Sequence, residues 1–147
     1  VVLAEREGSA FLRVSISTFV DMKELPFDVQ FDLERIGGPS AGLALTLTVL
    51  DVLTEGELTG GLDLVTTGTI DPLGNIGPIG GIEQKSHAVL REGADLFIVP
   101  SSDLQAALDV IGDRIDVVGV DTLDQALDAL EERGGDTSAV ARMALEE

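Results

Sequence analysis

The stretch that decides the fold is Gly37-Gly38-Pro39-Ser40-Ala41-Gly42, which opens an apolar run that ends near Leu53. Proline suits the first turn of a helix, because its fixed φ fits and its missing N–H would have no helical partner there. The run is apolar on nearly every side, so it predicts a helix from Pro39 to about Leu53 in the middle of the domain. Ser40 at its start could also be a plain helix cap.

The rest of the chain predicts strands and helices in alternation. Short or alternating apolar runs predict the strands, at residues 12–20, 27–33, 62–70, 96–99 and 115–120. A helix is predicted over residues 82–92, with Gly93 as the left-handed residue that ends it. Two more helices should follow the capping boxes that begin at Ser102 and Thr122. This order predicts a single α/β (α+β) domain with a mixed sheet and about four helices.

The ends of the chain predict where the domain begins and stops. Because the chain starts with Val1 and shows no signal peptide, we expect a piece of a longer protein. Residues 1–9 are interpreted as a connector from an upstream domain, residues 10–133 as the folded domain, and residues 134–147 as a flexible, loosely held tail.

Composition excludes several functions. The net charge of −18 would repel nucleic acid, and an aromatic fraction of 3%, all phenylalanine, offers few stacking platforms. The chain has no cysteine and one histidine, so a thiolate or multi-histidine metal site is excluded. Neither G-x-G-x-x-G nor G-x-x-x-x-G-K-[ST] occurs, so we predict no metal and no nucleotide cofactor.

Ser40 is a candidate nucleophile. A serine hydroxyl needs a base to take its proton and donors to hold the oxyanion that forms on attack. In the first turn of a helix, backbone N–H groups are unpaired and the dipole favours negative charge. The N–H groups of Ser40 and Ala41 are therefore candidate oxyanion donors.

The base could be Lys85 or His87, which lie about 200° apart on a helix, so that only one can face Ser40. Lys85 falls on the apolar side with Ile82 and Val89, where burial favours the neutral amine of a lysine. His87 falls on the polar side. A snorkelling lysine with a solvated amine would show the same pattern.

Four motifs in order support the pairing of Ser40 with Lys85: Gly38-Pro39-Ser40-Ala41-Gly42, Thr67-Gly68, Pro78-Ile79-Gly80-Gly81-Ile82-Glu83-Gln84-Lys85 and Phe97-Ile98-Val99-Pro100. Together they resemble the proteolytic domain of the Lon-type serine proteases, over roughly residues 10–133. The resemblance implies a Ser-Lys dyad of Ser40 and Lys85, with Thr67 in contact with the lysine. From the residues alone, Thr66 or Thr67 could orient the amine.

Two differences from the ATP-dependent Lon proteases indicate which branch of the family the chain resembles. Many ATP-dependent Lon proteases carry an acidic residue three places before the serine, where this chain has Gly37, and they carry an ATPase module. The run at residues 26–31 is more similar to the bacterial PDZ-Lon branch. That resemblance implies a membrane anchor, an upstream PDZ domain, an extracytoplasmic position, ATP-independent hydrolysis and a hexameric ring.

These observations predict a serine endopeptidase that acts on polypeptides through an acyl-enzyme, with the extended substrate added to a sheet edge near residues 64–67. One alternative is a catalytically silent Lon-fold binding or scaffold module. Another is a small-molecule kinase-like domain with a Pro-x-x-x-Gly-Leu-x-Ser-Ser-Ala phosphate loop, whose second serine this chain lacks.

Overall fold

The computed structural model describes residues 2–6, 9–13, 38–54 and 56–145. The strands are β1 Val2–Arg6, β2 Ser9–Arg13, β3 Leu64–Thr66, β4 Thr69–Ile70, β5 Ile76–Gly77, β6 Leu96–Pro100 and β7 Asp116–Val120. The α-helices are α1 Gly42–Leu53, α2 Ile82–Glu92, α3 Leu104–Ile111, α4 Leu123–Glu131 and α5 Ser138–Leu145. Single 3-10 turns, Pro39–Ala41 and Ser101–Asp103, precede α1 and α3. The prediction of an α/β domain is confirmed.

The strands form parallel and antiparallel ladders. In the described chain, β3, β6 and β7 make a parallel sheet in that order, with β6 in the centre. β1 pairs with β2 and β4 with β5, both antiparallel. The predicted strand at 12–20 overlaps β2 only at its first two residues, and its remainder and the predicted strand at 27–33 lie outside the described residues.

The central strand β6 separates two apolar cores. Because successive side chains of a strand point to opposite faces, Leu96 and Ile98 join one cluster and Phe97 and Val99 the other. Helices α1 and α4 supply the first cluster, and α2 and α3 supply the second. The result is a sheet covered on both faces, which explains why β6 is an unbroken apolar run.

Helix α1 packs on one face of the sheet, and the prediction that it lies in the middle of the domain stays a prediction, because residues 14–37 lie outside the described residues. Only Leu43 and Leu47 of α1 are buried, whereas Val52 is 78% exposed. The two buried leucines are one turn apart and make a single stripe against the sheet.

The predicted helix ends are mostly confirmed. α2 has the predicted bounds, and Gly93 ends it with a φ of 75°. Thr122 caps α4, its hydroxyl oxygen accepting from the Gln125 N–H at 3.3 Å. The capping box at Ser102 was wrong, because α3 begins two residues later and has no side-chain cap.

The C-terminal residues contain a helix where the sequence predicted a loosely held tail. α5 spans Ser138–Leu145, with Ala139 buried and Val140 packed against the first cluster. Apolar residues spaced to form one helical face explain that packing. None of the helices in the described ranges has the length and apolar character needed to cross a membrane.

Candidate active site

Ser40 lies in the 3-10 turn before α1, and two backbone hydrogen bonds tie this turn to the segment after β3. The Gly68 N–H donates to the Ser40 carbonyl at 2.9 Å, and the Leu43 N–H donates to the Gly68 carbonyl at 3.1 Å. This reciprocal pair joins the start of α1 to the carboxyl end of the parallel sheet. In open α/β sheets, ligands bind outside that end.

Gly42 lets α1 begin against β4. A Cβ atom at Gly42 would lie 3.0 Å from the Ile70 Cγ2 and 3.1 Å from the Ile70 backbone nitrogen. Such contacts are tighter than most Cβ contacts, so with a side chain here either Ile70 or the turn that carries Ser40 would have to shift by a few tenths of an ångström. The close packing of Gly42 against Ile70 therefore explains why a glycine stands two residues after Ser40.

Lys85 reaches Ser40 from the first turn of α2. Its half-buried side chain places Nζ 3.1 Å from the Ser40 Oγ and 2.9 Å from the Thr67 Oγ1, donating to both. Ser40 and Lys85 are 45 residues apart in the chain, so only the tertiary fold brings them together. The helical face predicted for Lys85 is confirmed, since Ile82 and Val89 are buried.

Thr67 links the lysine to the turn that carries the serine. Its side chain is 5% exposed, its N–H donates to the Ile98 carbonyl at 3.1 Å, and its hydroxyl donates to the Ser40 carbonyl at 3.1 Å. A hydroxyl has one proton to donate, so Thr67 can only accept from Lys85. The neighbouring Thr66 does not reach the lysine. Its Oγ1 is buried without a hydrogen-bond partner among the described residues.

Among the described residues, the Lys85 Nζ lies next to hydroxyl oxygens and not next to a carboxylate. Within the described ranges, no Asp or Glu oxygen comes within 4.0 Å of the Lys85 Nζ. His87 is exposed on the other side of α2. In the same part of the chain, no group of three or more His, Asp or Glu side chains could hold a metal ion.

Two of the backbone donors near Ser40 are already occupied. The Gly42 N–H donates to the Pro39 carbonyl, and the Leu43 N–H donates to the Gly68 carbonyl. Neither can serve an incoming oxyanion without losing its partner. The assignment of Ser40 and Ala41 as oxyanion donors therefore stays a prediction.

A tight turn sets the path of the chain from β4 towards α2. The Asp71 Oδ1 accepts from the N–H groups of Leu73 and Asn75, both at 2.9 Å, and its Oδ2 accepts from the Asn75 side-chain amide at 2.8 Å. These bonds, above all the one from the Asn75 amide, hold the pKa of Asp71 below its ordinary value. The carboxylate thus closes the turn between β4 and β5.

The sequence reasoning missed a second carboxylate contact near the site. The Asp103 Oδ2 accepts from the Ile79 N–H at 3.0 Å and joins the start of α3 to the loop before α2. The sequence predicts Ser102 as the cap of α3. The aspartate next to it, which occupies the actual N-cap position, was the signal that could have found this contact.

A family profile and individual relatives all point to the same protein family. A family profile described as "Lon protease (S16) C-terminal proteolytic domain" matches residues 35–132. The chain is 30% identical over 121 residues to an archaeal Lon protease of Methanocaldococcus jannaschii, covering 79% of this chain and 18% of that protein. It is 28% identical over 120 residues to a Lon protease of Elusimicrobium minutum, covering 78% and 14%. A Lon protease of Orientia tsutsugamushi is 35% identical over 94 residues, covering 62% and 12%.

The chain thus spans less than a fifth of the length of these relatives. The profile match includes Ser40, Thr67 and Lys85 and extends through α4. The chain belongs to the Lon protease (S16) C-terminal proteolytic domain family.

Proposed function

We propose that this chain is a serine endopeptidase in which Ser40 is the nucleophile and Lys85 the general base. The observation that carries the proposal is the position of the Lys85 Nζ, 3.1 Å from the Ser40 Oγ and also in contact with Thr67. A base must lie within hydrogen-bond reach of the proton it takes, and this distance satisfies that requirement.

The reaction proceeds in two halves. In the first, the neutral Lys85 amine takes the Ser40 hydroxyl proton while Oγ bonds to the carbonyl carbon of the substrate. The C–N bond breaks, and the proton passes from Nζ to the departing amine, which leaves an ester on Ser40. In the second half, Lys85 takes a proton from water and the hydroxide bonds to the ester carbon. The C–Oγ bond then breaks, the carboxyl product leaves, and the proton passes from Nζ to Oγ. Backbone N–H groups, with those of Ser40 and Ala41 proposed, stabilise the negative oxygen in both halves.

Thr67 orients the amine in this mechanism. Because its own proton is donated to the Ser40 carbonyl, Thr67 accepts one N–H of Lys85. The charged amine donates one N–H to the Ser40 Oγ and another to Thr67. In the neutral amine, the N–H to Thr67 stays and the lone pair takes the place of the N–H that pointed at Oγ. The same hydroxyl therefore holds both partners of the proposed dyad in register.

We expect Thr67→Val to lower kcat by roughly 10- to 100-fold, in the range of a lost catalytic positioning contact. Thr67→Ser should keep most of the activity, since it retains the hydroxyl. The matched control is Thr66→Val, which removes a buried hydroxyl without a partner and should leave kcat unchanged and the fold as stable or more stable. Peptide turnover and thermal unfolding of the three variants check this. Equal losses in Thr66→Val and Thr67→Val would contradict the role of Thr67.

The finer assignments from the resemblance are part of the proposal. We propose that hydrolysis is independent of ATP, because Gly37 before the serine motif and the run at residues 26–31 are more similar to the PDZ-Lon branch than to the ATP-dependent Lon proteases. We expect equal peptide turnover with and without ATP and Mg²⁺ in the full-length gene product. A several-fold increase on addition of ATP would contradict this.

We further propose that the full-length protein belongs to the PDZ-Lon branch, with a membrane anchor, a PDZ domain upstream, this domain outside the cytoplasm and a hexameric ring. The supporting observations are Gly37 before the serine motif and the run at residues 26–31, both outside the described residues. The coding sequence upstream of Val1, membrane fractionation with protease protection, and the mass of the assembled protein in solution test these parts separately. A cytoplasmic monomer without a PDZ domain would overturn them.

A further inference from the structure

Asp103 occupies the N-cap of α3 but does not cap it. Aspartate at this position ordinarily accepts a hydrogen bond from an N–H in the first turn of its own helix. Asp103 makes no such bond. Its Oδ2 instead accepts from the N–H of Ile79, which is 24 residues away in the chain, at 3.0 Å. Asp103 is therefore a residue of a preferred capping type that bonds the loop before α2 and not its own helix.

The partner of Asp103 lies in the loop that leads into α2. This loop, residues 78–81, follows β5 and ends where α2 begins at Ile82. Over the ranges that the structure describes, the contact with Asp103 is the one hydrogen bond made by the backbone of residues 78–80. The Ile79 side chain also packs against the second apolar cluster. The carboxylate is therefore the polar anchor of an otherwise glycine-rich and proline-containing connection.

The anchored loop sets the position of the first turn of α2, which carries Lys85. The Gly81 carbonyl, at the end of the loop, accepts the Lys85 N–H at 3.1 Å, so the loop and the lysine share one helical turn. On the other side of the site, β4 and the segment after β3 hold Ser40. The distance from Nζ to Oγ thus depends on the contacts that hold the Ser40 turn and on those that hold the start of α2. Asp103 makes one of the contacts that hold the start of α2.

We propose that Asp103 is a positioning residue for the peptidase reaction. It acts through Ile79 and the start of α2 to keep the Lys85 Nζ within hydrogen-bond reach of the Ser40 Oγ. This inference rests on the proposed function of Ser40 and Lys85. Asp103 itself touches neither residue of the dyad in the described hydrogen bonds. A negative group at the start of α3 is also favoured by the helix dipole, which stabilises the anchor where it stands.

The test compares variants of Asp103 in the full-length gene product, with kcat and acylation rates expressed per active site titrated by an ester burst. We expect Asp103→Ala to lower the acylation rate and kcat by roughly 10- to 100-fold, with KM within about threefold, because the base is misplaced. Asp103→Asn keeps an acceptor oxygen and should retain activity within about fivefold of wild type. The matched control is Asp109→Ala, which removes an exposed carboxylate of the same helix that bonds Gln105 and should leave the rates unchanged.

A second variant covers the case in which Asp103→Ala does not fold. Asp103→Ser keeps a preferred N-cap residue, so α3 should form, but its side chain is too short to reach Ile79. It should show the same loss of acylation rate. Hydrogen exchange gives a readout apart from activity: the Ile79 amide should exchange at least about tenfold faster in Asp103→Ser, whereas the Thr67 amide, bonded to Ile98, should not change.

The outcomes separate this inference from the proposed function. If Ser40→Ala abolishes turnover but folded Asp103→Ala or Asp103→Ser acylates at the wild-type rate, the positioning role is wrong and the dyad stands. If Ser40→Ala turns over peptide like wild type, the proposed function is wrong, and the positioning role falls with it. Unchanged exchange at Ile79 in Asp103→Ser would overturn the anchor itself. A loss of titratable sites with a normal rate per site would show a purely structural role and overturn the proposal.

Discussion

Ser40→Ala is expected to lower peptide turnover by about 10⁴-fold or more, because it removes the atom that forms the acyl-enzyme. The change deletes one half-buried oxygen and leaves the main-chain bonds of the turn in place, since both contacts with Gly68 and the one with Thr67 use backbone atoms of residues 40 and 43. Thermal stability should therefore stay close to that of wild type. The loss is expected in kcat.

The assay uses a quenched fluorescent peptide with the full-length gene product. The matched control is Ser102→Ala, since Ser102 is exposed and makes no side-chain hydrogen bond within the described residues. We expect this control to turn over peptide like wild type. Mass spectrometry after reaction with an acylating ester should place the added acyl group on Ser40.

Turnover by Ser40→Ala at a rate near wild type would remove Ser40 as the nucleophile. An inactive wild-type protein whose Ser40 takes no acyl group, even in the assembled full-length form, would instead favour a silent binding or scaffold module. These two results differ in whether the wild-type protein hydrolyses peptide at all.

Lys85→Arg is the second change with a large expected effect, a fall in kcat of about 10³- to 10⁴-fold. Arginine keeps a positive charge and can still donate to Thr67, but it cannot give up its proton to become a base. A lysine that served only as a structural cation would tolerate this replacement. The variant therefore separates the proposed base from a salt-bridge or packing role.

The control for Lys85→Arg is His87→Gln, which removes the other side chain that the sequence left open as a base. His87 is exposed and lies away from the Ser40 side of α2, so we expect unchanged kcat. Thermal unfolding of both variants should be similar to wild type. A fully active Lys85→Arg, or a loss of activity in His87→Gln, would show that the base has been misassigned.

Local sequence pattern was sufficient to predict several helices and strands of the fold. The bounds of α2, its glycine end and the buried strand β6 follow from periodicity and from the special conformation of Gly93. The capping box predicted at Ser102 was wrong, and helix α5 within residues 134–147 was not foreseen, for a shared reason. Each depends on contacts with distant residues: Asp103 bonds Ile79, and Val140 packs on the first cluster.

In the site as well, some features follow from local sequence pattern and others depend on contacts between distant residues. The motif order and the apolar side of α2 identified Ser40 and Lys85 as the pair. The resemblance implied Thr67 as the threonine in contact with the lysine, whereas the residues alone left Thr66 and Thr67 both open. They are adjacent, and the alternation of a strand turns them to opposite sides, so only the fold decides which hydroxyl meets the amine.

The sequence by itself determined the family, the α/β class and the two side chains proposed to react, because motif spacing and periodicity are carried by neighbouring residues. The tertiary structure alone decided the 3.1 Å approach of Nζ to Oγ, the contacts of the Thr67 hydroxyl with the amine and with the Ser40 carbonyl, and the use of Asp103 to hold the loop before Lys85. Those contacts join residues 18 to 45 positions apart. Their geometry depends on how α1, α2 and α3 pack around the carboxyl end of one sheet.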